Sequence, residues 1–230
     1  YRNPLETLSF FNIKSNMKVI ELQPTGGISP KGWYTEILAP YPKKNGLLIA
    51  ANFDPNESDW KLKMRKAFEL KIKQDKNYSK IALTTLYMPP KKLYADNSVD
   101  MVLTFRNLHN WLKSEYLKEL FKVSYDALKS GRIFGVVEHR APNNFTAEMM
   151  INSGYVTEDL VLKLANEVGF LFDSRSEINS NKLDTKDHPN GVWILLPNPK
   201  TYNDNKEKYR HIGESDRMII RFKKPLQMLL

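Results

Sequence analysis

Two short polar runs have the residue types and spacing that proton-transfer chemistry needs. The first is Arg106-Asn107-Leu108-His109-Asn110-Trp111, which follows the apolar stretch Val99 to Phe105. An imidazole exchanges protons near neutral pH, so His109 can take the proton of an acceptor group. Arg106 and Asn107 can orient that acceptor, and Trp111 can pack against it. The second run, Glu138-His139-Arg140, directly follows the apolar stretch Ile133 to Val137. A carboxylate beside an imidazole fixes its tautomer, so Glu138 and His109 together would make an acid–base pair. The competing arrangement uses Arg140 to neutralise Glu138 as a structural pair, with Asn107 and Asn110 merely closing a turn.

A third group suits a nucleotide-like ligand. Glu21-Leu22-Gln23-Pro24-Thr25-Gly26-Gly27 leads into Gly32-Trp33-Tyr34-Thr35 after the apolar segment Lys18 to Leu22. Glycines let a ligand approach the main chain, and a helix start offers free N–H donors. The spacing departs from GxGxxG. Asp54 stands 22 positions past Gly32, where an acidic residue commonly grips the two ribose hydroxyls of a nucleotide cofactor. Its other reading is a turn former before Pro55.

The polar stretch Glu177 to Asn190 is long for a mere connection, which suggests a lid with Asp187 and His188 facing a substrate. Glu214, Asp216 and Arg217 suit an internal ion-pair network equally well. His109, Glu138, His139, Asp184, Asp187 and His188 include enough nitrogen and oxygen donors for a metal. None of their spacings matches a zinc-protease or calcium-loop pattern, so no metal is expected.

The elements that must position these groups alternate. Strands are expected at Lys18 to Leu22, Leu47 to Phe53, Ile81 to Leu86, Val99 to Phe105 and Ile133 to Val137, with later candidates at 170–175, 192–196 and 218–222. Asn3 with Glu6 reads as a capping box behind Pro4, opening a helix within residues 1–15. Trp33 to Leu38 looks helical. Ser58, Ser114 and Thr157 read as N-caps, and Gly131 and Gly169 as helix stops. Strands alternating with capped helices predict an α/β, doubly wound, mostly parallel sheet with an antiparallel edge strand, in a single domain spanning 1–230. Ligands in such sheets bind beyond the carboxyl ends of the strands.

Composition sets the outer limits. A chain of 230 residues that is 41% hydrophobic can bury a core, and no apolar run reaches the ~18 residues of a membrane helix. The absence of Cys removes disulfides and cysteine nucleophiles. A net charge of +9 raises nucleic acid as a partner, but most lysines fall at helical spacing between apolar residues, with no RNA-binding signature among them. The first residue is Tyr1, so a signal peptide or anchor upstream stays open, and neither cytoplasm nor export is selected.

The strand, glycine loop, helix, strand, acid order resembles class I S-adenosylmethionine-dependent methyltransferases. The closer resemblance, over nearly the whole chain, is to a bacterial group of predicted methyltransferases. It rests on Asn3-Pro4-Leu5-Glu6, Gly32-Trp33-Tyr34-Thr35-Glu36, Phe105-Arg106-Asn107-Leu108-His109-Asn110-Trp111, Gly135-Val136-Val137-Glu138-His139-Arg140-Ala141 and Ile212-Gly213-Glu214-Ser215-Asp216-Arg217-Met218. The resemblance implies a seven-stranded Rossmann-like sheet and methyl transfer from S-adenosylmethionine to a small-molecule acceptor, leaving S-adenosylhomocysteine. It implies cofactor contacts at Glu21, Gly26, Gly27, Gly32, Tyr34, Asp54 and Thr85. It places catalytic groups at His109, Glu138, Asn107 and Arg106, and substrate contacts at Trp111, His139, Arg140, Asp187 and His188. Two departures stand out: an insertion around Ile28 to Lys31, and Thr84-Thr85-Leu86 where many relatives carry an acid for the adenine amine. Three alternatives remain: non-methylating chemistry on a sulfonium or related ligand, an RNA methyltransferase, and a non-catalytic binding protein.

Overall fold

The computed structural model describes residues 1–24, 32–197 and 206–227. Gly26, Gly27 and the insertion around Ile28 to Lys31 lie outside the described residues.

Five apolar segments form the parallel strands β1 (Lys18–Leu22), β2 (Leu47–Phe53), β3 (Ile81–Leu86), β4 (Val99–Phe105) and β5 (Leu128–His139). Two later strands, β6 (Leu171–Ser176) and β7 (Arg217–Lys223), complete a sheet of order β3-β2-β1-β4-β5-β7-β6. β7 runs antiparallel to both β5 and β6, one place in from the edge. Chain direction reverses its spatial progression between β1 and β4, and this switch point is where such sheets leave a crevice.

Helices cover both faces: α1 (Pro4–Phe10), α2 (Trp33–Leu38), α3 (Asp59–Gln74), α4 (Leu108–Lys113), α5 (Leu117–Ala127), α6 (Ala147–Ser153), α7 (Glu158–Val168) and α8 (Lys206–Ile212). Strand periodicity sends alternate residues to opposite layers. Ile20, Leu22, Phe121, Phe134, Phe170 and Phe222 pack in one layer. Val19, Phe11, Phe68, Leu103 and Ile219 pack in the other. Phe134 sits 5.0 Å from Phe121 and 5.2 Å from Phe170, ring centre to ring centre. Burying each such phenyl ring contributes about 2 kcal/mol.

The N-caps Ser58 and Thr157 accept from the main-chain N–H of Lys61 and Leu160, as their sequence context indicates. Gly169 ends α7 in the left-handed region, at φ 104°. Four local expectations are corrected. Asn3 is left-handed and makes no cap bond; its amide donates instead to Ile178 O at 2.7 Å, tying the chain start to a distant loop. Ser114 closes α4 rather than opening α5. Gly131 does not stop a helix: α5 ends at Ala127, and Gly131, at φ 74°, lies within β5 and donates to Lys224 O at 2.9 Å. The apolar run 192–196 is a 3-10 turn at Gly191–Ile194, because apolar residues alone do not distinguish a buried turn from a strand.

Candidate active site

The site is built where β1, β4 and β5 end. Two residues there adopt left-handed backbone conformations that non-glycine side chains seldom take, Gln23 at φ 45° and Arg106 at φ 60°. Side chains from α4 brace this strain. The Asn107 amide donates to Leu22 O at 3.1 Å, and the Trp111 indole N–H donates to Gln23 Oε1 at 3.1 Å. The Arg106 N–H bonds Val137 O at 2.7 Å, tying the end of β4 to β5.

On that platform Glu138 organises the polar groups. Its Oε2 accepts the Leu108 N–H at 2.5 Å, capping the start of α4. Its Oε1 accepts the His139 N–H at 2.8 Å and lies 3.1 Å from His109 Nδ1. A carboxylate at Nδ1 favours the tautomer of a neutral imidazole in which Nδ1 donates and Nε2 presents the lone pair. The neighbouring His139 ring lies 5.4 Å from that of His109, and its Nδ1 is bonded to Ser215 Oγ. Burial, then His109 and the positive charges of Arg217, Arg106 and Arg2, hold the His139 pKa well below the usual imidazole value. His139 is therefore neutral at pH 7. Ligand atoms of His109, Glu138 and His139 all lie within 4.8 Å of one another, although both Glu138 oxygens already accept main-chain N–H groups.

The nucleotide-side residues lie at the ends of β1, β2 and β3. Glu21 is fully enclosed and accepts the Thr35 hydroxyl at 2.8 Å; burial raises its pKa to about 8, with the Thr35 bond opposing. Gly32 is required by close approach: a Cβ there would fall 2.1 Å from Pro24 O and 2.0 Å from Thr35 Oγ1. Asp54 follows β2 and closes a turn, accepting the Asn56 N–H at 3.0 Å. Thr85 Oγ1 lies 3.5 Å from Arg65 Nη1, which also donates to Phe53 O.

Several expected ligand contacts serve the scaffold instead. Tyr34 is buried, stacks on Phe105 at 3.7 Å between ring centres, and donates its hydroxyl to Arg2 O at 3.1 Å. Trp111 is buried in the core beside its bond to Gln23. Arg140 does not pair with Glu138. Its guanidinium makes a two-pronged bridge to Glu177, both contacts 2.7 Å, and also binds Asp216 and Glu158.

The stretch Glu177 to Asn190 is pinned rather than free. Asp184 accepts the Tyr155 hydroxyl at 2.8 Å and the Asp216 N–H at 2.7 Å, and contacts His188 Nε2 at 2.9 Å. His188 gives its Nε2 to that internal network while its buried Nδ1 has no hydrogen-bond partner among the described residues, and the Asp187 side chain is 78% exposed.

Sequence reasoning left an arginine cluster unassembled. Arg2, from the chain start, donates to Glu214 at 2.9 Å, and Arg217 shares the same carboxylate. Both act electrostatically on Arg106, and the signal was present only as three isolated cations far apart in the chain.

No family model matches this chain, and no curated protein matches it. Among solved structures, it resembles an S-adenosylmethionine-dependent methyltransferase from Aquifex aeolicus, with 16% identity, 76% of this chain and 83% of that one covered, and a TM-score of 0.57. A methyltransferase of the same cofactor class from Methanosarcina mazei matches with 11% identity, 96% and 98% coverage and a TM-score of 0.59. The 4+2 cyclase SpnF matches with 12% identity, 98% and 81% coverage and a TM-score of 0.65. The fold is that of class I methyltransferases: a seven-stranded, mostly parallel Rossmann-like sheet with a reversed strand near one edge. At these identities the likeness is one of fold, and the chemistry rests on the residues.

Proposed function

We propose that this chain transfers the methyl group of S-adenosylmethionine to a small-molecule acceptor, with His109 as general base. The observation that carries the reading is the buried His109–Glu138 pair beside the switch point of a methyltransferase-type sheet. The donor set fits the cofactor: a backbone turn too tight for a Cβ at Gly32, a carboxylate after β2 at Asp54, and a hydroxyl at the end of β3 at Thr85. Glu21, Gly32, Asp54 and Thr85, with Gly26 and Gly27, would hold it, and Tyr34 would support that wall from beneath. When bound, the cofactor supplies a methyl group already activated by its sulfonium. The protein's task is then orientation, water exclusion and proton removal.

His109 Nε2 accepts the proton of the acceptor's nucleophile, and Glu138 holds the tautomer that makes this possible and stabilises the imidazolium that results. Neutral His139 adds no competing charge beside it. Asn107 fixes the loop that carries His109. A small molecule is favoured over RNA because no RNA-binding signature runs among the lysines, and several on helix faces are held by carboxylates. Lys71 binds Glu36 and Asp75, Lys118 binds Glu167, and Lys122 binds Asp126.

Calorimetric titration with S-adenosylmethionine and S-adenosylhomocysteine tests the reading. Micromolar binding is expected, and no binding to folded protein overturns it. Turnover that yields no S-adenosylhomocysteine would point to non-methylating chemistry. Tight, steeply salt-dependent RNA binding would point to an RNA substrate. Binding without turnover on any acceptor would point to a ligand-binding protein.

A further inference from the structure

We infer that Arg106 is the receptor for an oxyanion, a carboxylate or phosphate, carried by the methyl acceptor. The inference deepens the methyltransferase reading and rests on it for the acceptor's role.

Arg106 is half-buried at the carboxyl end of β4, on the strand that carries His109's helix. Among the described residues its guanidinium has neither an ion-pair nor a hydrogen-bond partner, whereas Arg2, Arg140 and Arg217 are all ion-paired. Arg2 and Arg217 share Glu214, and Arg140 holds Glu177, Asp216 and Glu158. A half-buried guanidinium with no bonded carboxylate has its N–H donors available to an anion.

The surroundings make the deficit larger. Arg217 and Arg2 both repel Arg106, and burial together with these two cations lowers its pKa to about 10, so it stays charged at neutral pH. The same three arginines also act on Tyr34 and on His139, which places one positive field across the floor of the site. Glu214 is taken by Arg2 and Arg217, and Glu138 by His109 and two main-chain N–H groups. Both carboxylates act on Arg106 through space, but neither is hydrogen-bonded to it. The residue's φ of 60° is a further cost held in place by the bonds of Asn107 and of its own N–H. Strain and a guanidinium with no bonded carboxylate at the same residue, on the loop that leads to the proposed base, point to a ligand contact. A planar guanidinium offers parallel N–H donors that match a carboxylate or phosphate edge. Glu138, which contacts His109 Nδ1, also acts on Arg106 through space, so the two groups face one site.

Thermal unfolding of the full chain and of Arg106→Gln, at matched ionic strength in potassium chloride, acetate and phosphate, tests the site without turnover. Acetate and phosphate stabilise proteins generally, so both variants serve as each other's reference. Relative to chloride, acetate, phosphate or both are expected to raise the wild-type midpoint by several degrees more than that of R106Q. The anion that shows the difference identifies the group. In chloride, R106Q is expected to melt at or above the wild-type temperature, because an unpaired charge has been removed. Equal rises for the two proteins in both salts, or a lower midpoint for R106Q in chloride, would overturn the inference.

A parallel titration with S-adenosylhomocysteine separates the two possible carriers of a carboxylate. R106Q is expected to bind it within about twofold of wild type, whereas a tenfold loss would assign Arg106 to the amino-acid end of the cofactor and overturn the acceptor assignment. Failure of the wild type to bind S-adenosylhomocysteine at all would end the methyltransferase reading while leaving the salt series to stand or fall by itself.

Discussion

His109 Nδ1 lies 3.1 Å from Glu138 Oε1, and the same carboxylate accepts the main-chain N–H groups of Leu108 and His139. One acidic residue therefore caps a helix, closes the end of β5 and sets an imidazole's tautomer. These roles separate by mutation. His109→Gln removes the basic lone pair but keeps a polar side chain of similar reach. It is expected to lower the methylation rate by about a hundredfold to ten-thousandfold. Cofactor affinity and thermal midpoint should stay close to wild type. Single-turnover rates on the identified acceptor, alongside calorimetry with S-adenosylhomocysteine, check this.

Glu138→Ala strikes the fold as well as the chemistry. It leaves the Leu108 and His139 N–H groups without their partner in a buried setting, at a cost of about 1–3 kcal/mol for each such group. Urea unfolding should therefore show a larger loss for E138A than for H109Q. Equal stability of the two variants would mean that the carboxylate does not hold the start of α4.

Glu21 gives the protein a pH dependence of unusual sign for a carboxylate. Burial raises its pKa from 4.5 to about 8, so the native state keeps the proton while the unfolded chain releases it. Between pH 4.5 and about 8 the unfolded state binds fewer protons, and Glu21 makes the native state progressively less favourable as pH rises through that window. Below the unfolded value both states are protonated and the contribution vanishes. Glu21→Gln is accordingly expected to unfold at a higher temperature than wild type at pH 8 and at the same temperature at pH 4. Melting curves for both proteins across that range check the sign.

Local chemistry explains which features were legible in the sequence. Ser58 and Thr157 sit at helix starts, and their caps depend on residues three positions away. The apolar runs of β1, β2 and β4 stand out because these parallel strands are buried on both faces. The meeting of His109 and Glu138 was legible too, since one follows β4 and the other ends β5, and these strands pair side by side. Asn3 misled because its amide is claimed by Ile178 O, 175 positions away, and no local rule can see such a competitor. The Arg2–Glu214 pair spans 212 positions and stayed invisible for the same reason. The closeness of Glu138 and Arg140 in the chain suggested a structural pair as the competing reading. Two positions apart, they would share a face of a continuous strand, but β5 ends at His139, and Arg140 beyond it turns to Glu177 and Asp216 while Glu138 stays with His109.

Arg140 tests that division of labour. Arg140→Ala removes one of two counter-charges from Asp216, whose side chain is only 5% exposed and which keeps Lys186 at 2.9 Å, and removes the partner of Glu177, which is mostly in solvent. The Asp216 contact carries most of the effect, since exposed pairs contribute little. A loss of about 2 kcal/mol in urea unfolding is expected, set by a charged hydrogen bond left without its partner. The KM for the acceptor should be unchanged where the variant is folded. A raised KM with unaltered stability would return Arg140 to the substrate site.

Asp54 separates a turn former from a ribose ligand. Its Oδ1 accepts the Asn56 N–H at 3.0 Å, and an asparagine can make the same bond through its carbonyl oxygen. Asp54→Asn should therefore preserve the turn and the thermal midpoint. A carboxylate can accept from two adjacent hydroxyls at once, whereas an amide presents one acceptor oxygen and a donor where the second would be. Losing one charge-assisted bond of this kind costs about 1.5–3 kcal/mol. S-adenosylhomocysteine is thus expected to bind D54N at least about tenfold more weakly, by the usual conversion of free energy to affinity. If D54N binds as tightly as wild type while Asp54→Ala melts at a lower temperature, the residue shapes the loop after β2 and the ribose must be held elsewhere.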